Sequence, residues 1–243
     1  LDHIPVWTPD GRHLVFGSDR NGVANLYWVR ADGAGDAQRL TESKNSQAPQ
    51  SFSPDGKRLA FQERSPETSW DIWMLPLEGD DRDHPKPGKP EPFLRTPFTE
   101  HNLAFSPDGR WLAYASNESW RSEVYVRPFP GPGGKWQVST GGGALPVWSP
   151  NGRELFYRTG DNRIMVATYT VRGDALLADK PRLWSEKQFT ETGVYRNFAL
   201  APDGKRFAVM MAPEGAGAEK PPNHVTFLLN FFDDLRRRVP PAR

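Results

Sequence analysis

Short runs of alternating apolar and polar positions recur along the chain, each introduced by a cluster of turn-forming residues. Residues 12–16, 57–61, 110–114, 153–157 and 205–209 alternate with the period of a strand that buries one face. A polar loop follows each, then a second apolar run at 25–29, 71–75, 123–126, 164–167 and 225–229. Shorter runs come next at 39–41, 92–94, 136–138 and 182–184.

Ahead of each alternating run stands one short phrase: a bulky residue, then Ser, Thr or Ala, then Pro, Asp or Asn, Gly, and Lys or Arg. Its five copies begin at Trp7, Phe52, Phe105, Trp148 and Leu200, and 43 to 53 residues separate successive prolines. Pro fixes φ at the second turn position, Asp or Asn tolerates the bridge conformation beside it, and Gly accepts the left-handed conformation that closes the turn. Each turn therefore joins two antiparallel strands. Four strands per repeat at this spacing mark propeller blades rather than helical or leucine-rich repeats. The expected fold is all-β: a β-propeller of four-stranded antiparallel blades at 1–43, 44–98, 99–141, 142–190 and 191–230, one domain over 1–243.

The bulky residue two before each proline is expected to pack between adjacent blades, where an aromatic buries about 150–250 Å². Trp120 is the exception, since it sits in a polar loop. The longer repeats are explained by insertions at 79–92 and 213–222, whose Pro, Gly and charged residues read as mobile surface loops. Residues 231–239 read as a short amphipathic helix, capped by Asn230, with Asp233 and Asp234 in its first turn and three arginines near its end. The last blade would then have three strands and an open edge, an aggregation liability. Ring closure would draw its partner strand, and further blades, from residues before Leu1. The chain is accordingly expected to be a fragment, poorly stable by itself.

Charge narrows the partners. The 31 basic and 30 acidic residues leave a net +1, which favours neither nucleic acid nor an anionic membrane surface. No cysteine is present, so no disulfide, thiolate nucleophile or Cys-based zinc site is possible. No apolar run approaches the roughly 20 residues of a membrane helix.

Enzymatic motifs are missing as well. The chain has no G-x-S-x-G elbow, H-E-x-x-H pair, phosphate loop or kinase signature, so no catalytic residue is assigned. The histidines at 3, 13, 84, 101 and 224 lack the spacing of helical metal sites. Asp80, Asp81 and Asp83 lack the glycine of a calcium loop, Gly141 to Gly143 read as a turn, and Asn117 heads a glycosylation sequon of a kind frequent by accident. No metal or cofactor is expected.

A propeller offers loops on a rigid ring and a central channel. If the strand before each turn is innermost, the residues six before each proline rim one mouth of that channel: His3, Ala48, His101, Ala144 and Arg196. His3, His101 and Arg196 could together receive an acidic peptide tail or terminus. The plainer alternative is that they are solvated strand ends.

The Ser-Pro-Asp-Gly-Lys/Arg turns, followed by Leu-Ala-Phe at 59–61 or Leu-Ala-Tyr at 112–114, resemble the repeats of TolB-type, WD-like propellers across essentially the whole chain. Residues 114–119, 123–143 and 153–158 resemble the propellers at the C-termini of bacterial eukaryotic-like serine/threonine kinases, and 229–235 is similar to their tail. Trp120 departs from the glycine usual after Asn-Glu-Ser in that pattern. The resemblance implies a cytoplasmic kinase domain and one membrane helix before Leu1, which would place this part in the periplasm or otherwise outside the cytoplasmic membrane. It further implies a non-catalytic sensor or scaffold that binds a protein or peptide. Two alternatives stay open: a free-standing periplasmic protein of TolB type, and a propeller gating a prolyl-oligopeptidase-like hydrolase.

Overall fold

The computed structural model describes residues 1–79, 81–190 and 196–211. Their regular structure is entirely strand. The first sheet orders β1 (Asp2–Trp7), β2 (His13–Ser18), β3 (Asn25–Arg30) and β4 (Gln38–Arg39) side by side. In the second, β5 (Gln47–Phe52), β6 (Arg58–Ser65) and β7 (Ser69–Glu78) are followed by β8 (Lys86–Pro87) and β9 (Glu91–Leu94), both paired with β7. The third holds β10 (Glu100–Phe105), β11 (Trp111–Ser116), β12 (Glu123–Pro128) and β13 (Trp136–Gln137). The fourth has β14 (Ala144–Trp148), β15 (Glu154–Arg158) and β16 (Ile164–Arg172), the last pairing with both β17 (Ala175–Ala178) and β18 (Arg182–Ser185). A pair, β19 (Phe198–Leu200) and β20 (Phe207–Val209), completes the described residues.

The repeated turn explains why β1 runs into β2, β5 into β6 and β10 into β11. In the first copy the Gly11 amide donates to the Thr8 carbonyl at 2.9 Å, and the His13 amide donates to the Thr8 hydroxyl at 3.1 Å. That hydroxyl donates to Asp10 Oδ1 at 2.5 Å, which also accepts the Arg12 amide. Ser53 with Asp55, and Ser106 with Asp108, repeat the arrangement at 2.6 Å. The glycines of all five turns lie at φ between 65° and 70°, where a side chain would be strained.

Strand alternation then packs the sheets against one another. Val15, Leu26 and Trp28 of the first sheet meet Phe52, Leu59 and Phe61 of the second. Ala60, Ile72 and Met74 on the second sheet's other face meet Phe105, Leu112 and Tyr114 of the third. Ala113, Val124 and Val126 carry the pattern on to Trp148, Leu155 and Tyr157, and Phe156, Ile164 and Val166 to Phe198 and Phe207. Four-stranded sheets packed face to face in chain order, with β1, β5, β10 and β14 in contact along their inner edges, make a β-propeller.

Three expectations are corrected. The second strand of the third repeat, β11, does not bury one face only: it is buried at every position, because a sheet lies on each side of it. Trp7 does not pack between blades. It is 56% exposed, since no described sheet stands against the outer face of the first one. The insertion at 79–92 is not a free loop, because it contains β8 and the first half of β9 and folds back onto the first sheet. There Asp83 accepts from Arg30 at 2.7 Å and lies 2.8 Å from His13 Nε2, and Gln38 donates to the Pro85 carbonyl at 3.0 Å. Asp81 caps the same segment through the Asp83 and His84 amides, so these carboxylates are spent on the strap rather than on a cation. The strand expected at 225–229, the loop at 213–222, the helix at 231–239, Asp80 and His224 lie outside the described residues.

Candidate functional site

The inner strands enclose a cavity of about 760 Å³. Its wall comes from the same stretch of each repeat, with Val6 on β1, Pro49 on β5, Leu103 on β10, and Leu145 and Val147 on β14. Gln50, Ser51 and Asn102 add polar groups. Arg196 is the charged residue among the described lining residues.

Bulges set which side chains turn inward. Register shifts interrupt the pairing of β1 between His3 and Val6, of β10 between His101 and Ala104, and of β14 between Ala144 and Val147. At each, the residue five before the turn proline takes a left-handed conformation: Ile4 at φ 50°, Asn102 at 54° and Leu145 at 54°. For a β-branched isoleucine this is costly, and such strain is found where surrounding structure enforces it, often at functional surfaces. In the second repeat the same position is Pro49, whose ring forbids positive φ, and the shift falls between Pro49 and Ser51 instead. The bulge rotates residues four and five before the proline into the wall.

That rotation separates the three residues singled out from sequence. Arg196 lines the cavity, and His3 and His101 do not. His3 folds over Gly17, its Cε1 standing 2.5 Å from where a Cβ on that glycine would be. His101 is enclosed by its own sheet, with Nδ1 at 3.2 Å from Asn102 Oδ1 and Nε2 at 3.4 Å from the Ser122 hydroxyl. Burial pulls its pKa down to about 4, so the imidazole is neutral at physiological pH and offers no positive charge to an acidic ligand. Arg196 is exposed to solvent at the cavity and, with a pKa no lower than about 10, remains a cation at neutral pH.

Sequence reasoning missed Ile4, Asn102 and Leu145 as the residues that shape the wall. The available signal was proline inside the first strand, at Pro5, Pro49 and Pro146, because a ladder position cannot accept proline without a bulge or an edge. Trp120, fully exposed at φ 69° in the loop after β11, and half-exposed Phe98 lie away from the cavity lining.

Among the described residues no group of three or more His, Cys, Asp or Glu side chains is placed to hold a metal, and no helix is long and apolar enough to cross a membrane. The cavity therefore offers a largely apolar wall with a few polar groups and, among the described lining residues, one cation.

Comparison with known proteins agrees on the fold. No family model matches the chain. It is similar to a solved structure described as a putative TolB from Agrobacterium tumefaciens, at a TM-score of 0.56 and 16% identity over 75% of this chain and 66% of that one. In sequence it is 37% identical over 57 residues to the Tol-Pal system protein TolB of Francisella tularensis subsp. mediasiatica, covering 24% of this chain and 13% of that protein. It is also 26% identical over 144 residues to the uncharacterized peptidase YuxL of Bacillus subtilis, covering 46% of this chain and 21% of that protein. The match thus spans a minor part of each curated relative. The chain is a TolB-like β-propeller in its fold.

Proposed function

We propose that this chain is a non-catalytic, protein- or peptide-binding propeller, the extracytoplasmic sensor or scaffold of a larger bacterial signalling protein such as a serine/threonine kinase. The observation that carries the binding role is the cavity, whose wall is mostly apolar and whose charged described lining residue is Arg196; on this reading the wall holds an extended segment and Arg196 meets its carboxylate. A guanidinium pairs with a carboxylate by charge-assisted, bidentate hydrogen bonds, which gives specificity for an acidic side chain or chain terminus. The apolar wall supplies the remaining affinity without sequence preference. The TolB likeness supports placement outside the cytoplasm.

Peptides with a free C-terminal carboxylate and their C-terminal amides, titrated against the chain and against Arg196→Gln, test this reading. The chain is expected to favour the free acid by about ten-fold, the scale of one charged hydrogen bond, and Arg196→Gln to lose that preference. Equal affinity of the unaltered chain for acid and amide overturns it.

The likeness to a peptidase favours a second reading, in which the propeller belongs to a prolyl-oligopeptidase-like hydrolase and its cavity filters what reaches a separate catalytic domain. A filter passes peptides without retaining them, so neither peptide would then bind measurably.

A further inference from the structure

Two neighbouring seams differ in how one buried head group is satisfied, Gln47 facing Glu63 across its strand pair and Glu100 facing Ser116. Gln47 on β5 and Glu100 on β10 occupy the same place, seven residues before their turn prolines, each opening the inner strand of its sheet. Each has its Oε1 taken by the threonine of the connection before it: Thr41 donates to Gln47 at 2.5 Å, and Thr96 to Glu100 at 2.6 Å. Ser116 adds a second donor to Glu100 Oε1 at 3.3 Å. The other atom of each head group is where they part. Gln47 Nε2 donates to Glu63 at 2.6 Å, whereas Glu100 Oε2 is buried with no partner. On β7, in the same seam, Asp71 Oδ1 is also buried with no partner, while Asp71 Oδ2 is satisfied by Thr68 at 2.6 Å and by Arg95 at 3.5 Å.

Were Glu100 ionised, this seam would hold two carboxylates and two buried oxygens without donors, an arrangement the interior does not tolerate cheaply. We propose that Glu100 is a neutral carboxylic acid in the folded chain, which removes one of two neighbouring buried charges, so that the joint between the second and third sheets depends on a bound proton.

The charges facing Glu100 agree with this. Burial pushes its pKa up to about 7, Asp71 and Glu118 push in the same direction, and the Thr96 and Ser116 hydroxyls oppose them. The cations nearby are committed elsewhere: Lys135 to Glu118, and Arg95 to Asp71 and Glu67. His101, the next residue, is neutral and offers no counter-charge. Because the folded chain holds this proton more tightly than the unfolded chain, the contribution is complete below pH 4.5 and is lost as pH rises through about 7. The joint anchors the start of β10, two residues before Asn102 enters the cavity wall.

The test follows urea unfolding of the chain and of Glu100→Gln from pH 5 to pH 8, together with the Glu100 side-chain carboxyl resonance in the unaltered folded chain. The unfolding constant of the unaltered chain is expected to rise by on the order of ten-fold more than that of Glu100→Gln, and the resonance to titrate above pH 6. An Asp71→Asn change is expected to bring that titration to lower pH. A Glu100 carboxyl that titrates near its ordinary 4.5 overturns the proposal, as does an identical pH dependence in chain and variant. Should Glu100→Gln fail to fold, the resonance decides alone.

Discussion

Trp7 and Trp148 occupy the same position in their repeats, two residues before the turn proline, at the ends of strands with the same bulge. Trp148 is 7% exposed, stacks edge-on against Tyr169 at 5.1 Å and donates from Nε1 to the Ala104 carbonyl of the preceding sheet at 2.9 Å. Trp7 is 56% exposed. Equivalent local sequence therefore fixes where an aromatic points but not what it meets. The neighbouring sheet supplies most of its burial, and the first described sheet has no such neighbour on that side.

The sharpest way to break this comparison is Trp148→Ala. Removing a buried tryptophan from a seam is expected to cost about 3–5 kcal/mol, read as a loss of unfolding free energy in urea. A cost below about 1 kcal/mol would show that the seam closes over the cavity and that the two tryptophans are equivalent after all. An intermediate effect is expected at the turns of the first and third sheets, where the local chemistry is the same. Thr8→Ala and Ser106→Ala each remove a hydroxyl that accepts a buried amide across the turn, at 3.1 and 3.0 Å, and each is expected to cost about 1 kcal/mol. A large inequality between them would mean that neighbouring sheets reach into the turns. The smallest effect belongs to Trp7→Ala, expected to change stability by less than about 0.5 kcal/mol while improving solubility, as measured by light scattering.

The insertion at 79–92 teaches the same lesson from the opposite side. Its composition is that of a solvated loop, yet Asp83 finds His13 and Arg30 some fifty to seventy positions earlier in the chain. Those partners are invisible to any reading confined to the segment. Histidine-based reasoning about the channel erred for a related reason. His3 and His101 sit where an uninterrupted strand would aim them at the mouth, and the bulge after each one hands that place to the residues that follow. Of the three, Arg196 is the one that lines the cavity.

From sequence alone came the turns, the order of the first three strands in the first four sheets, the period of the repeat and the absence of catalytic motifs, because hydrogen bonds spanning two to five residues and the φ preferences of Pro and Gly act over distances the local chain controls. Tertiary structure decided the burial of Trp148 against the exposure of Trp7, the docking of the Asp83 strap, the inward turn of Ile4, Asn102 and Leu145, and the missing donor at Glu100. Each of these depends on atoms brought close only when one sheet lies against the next, and burial and desolvation are set by that contact.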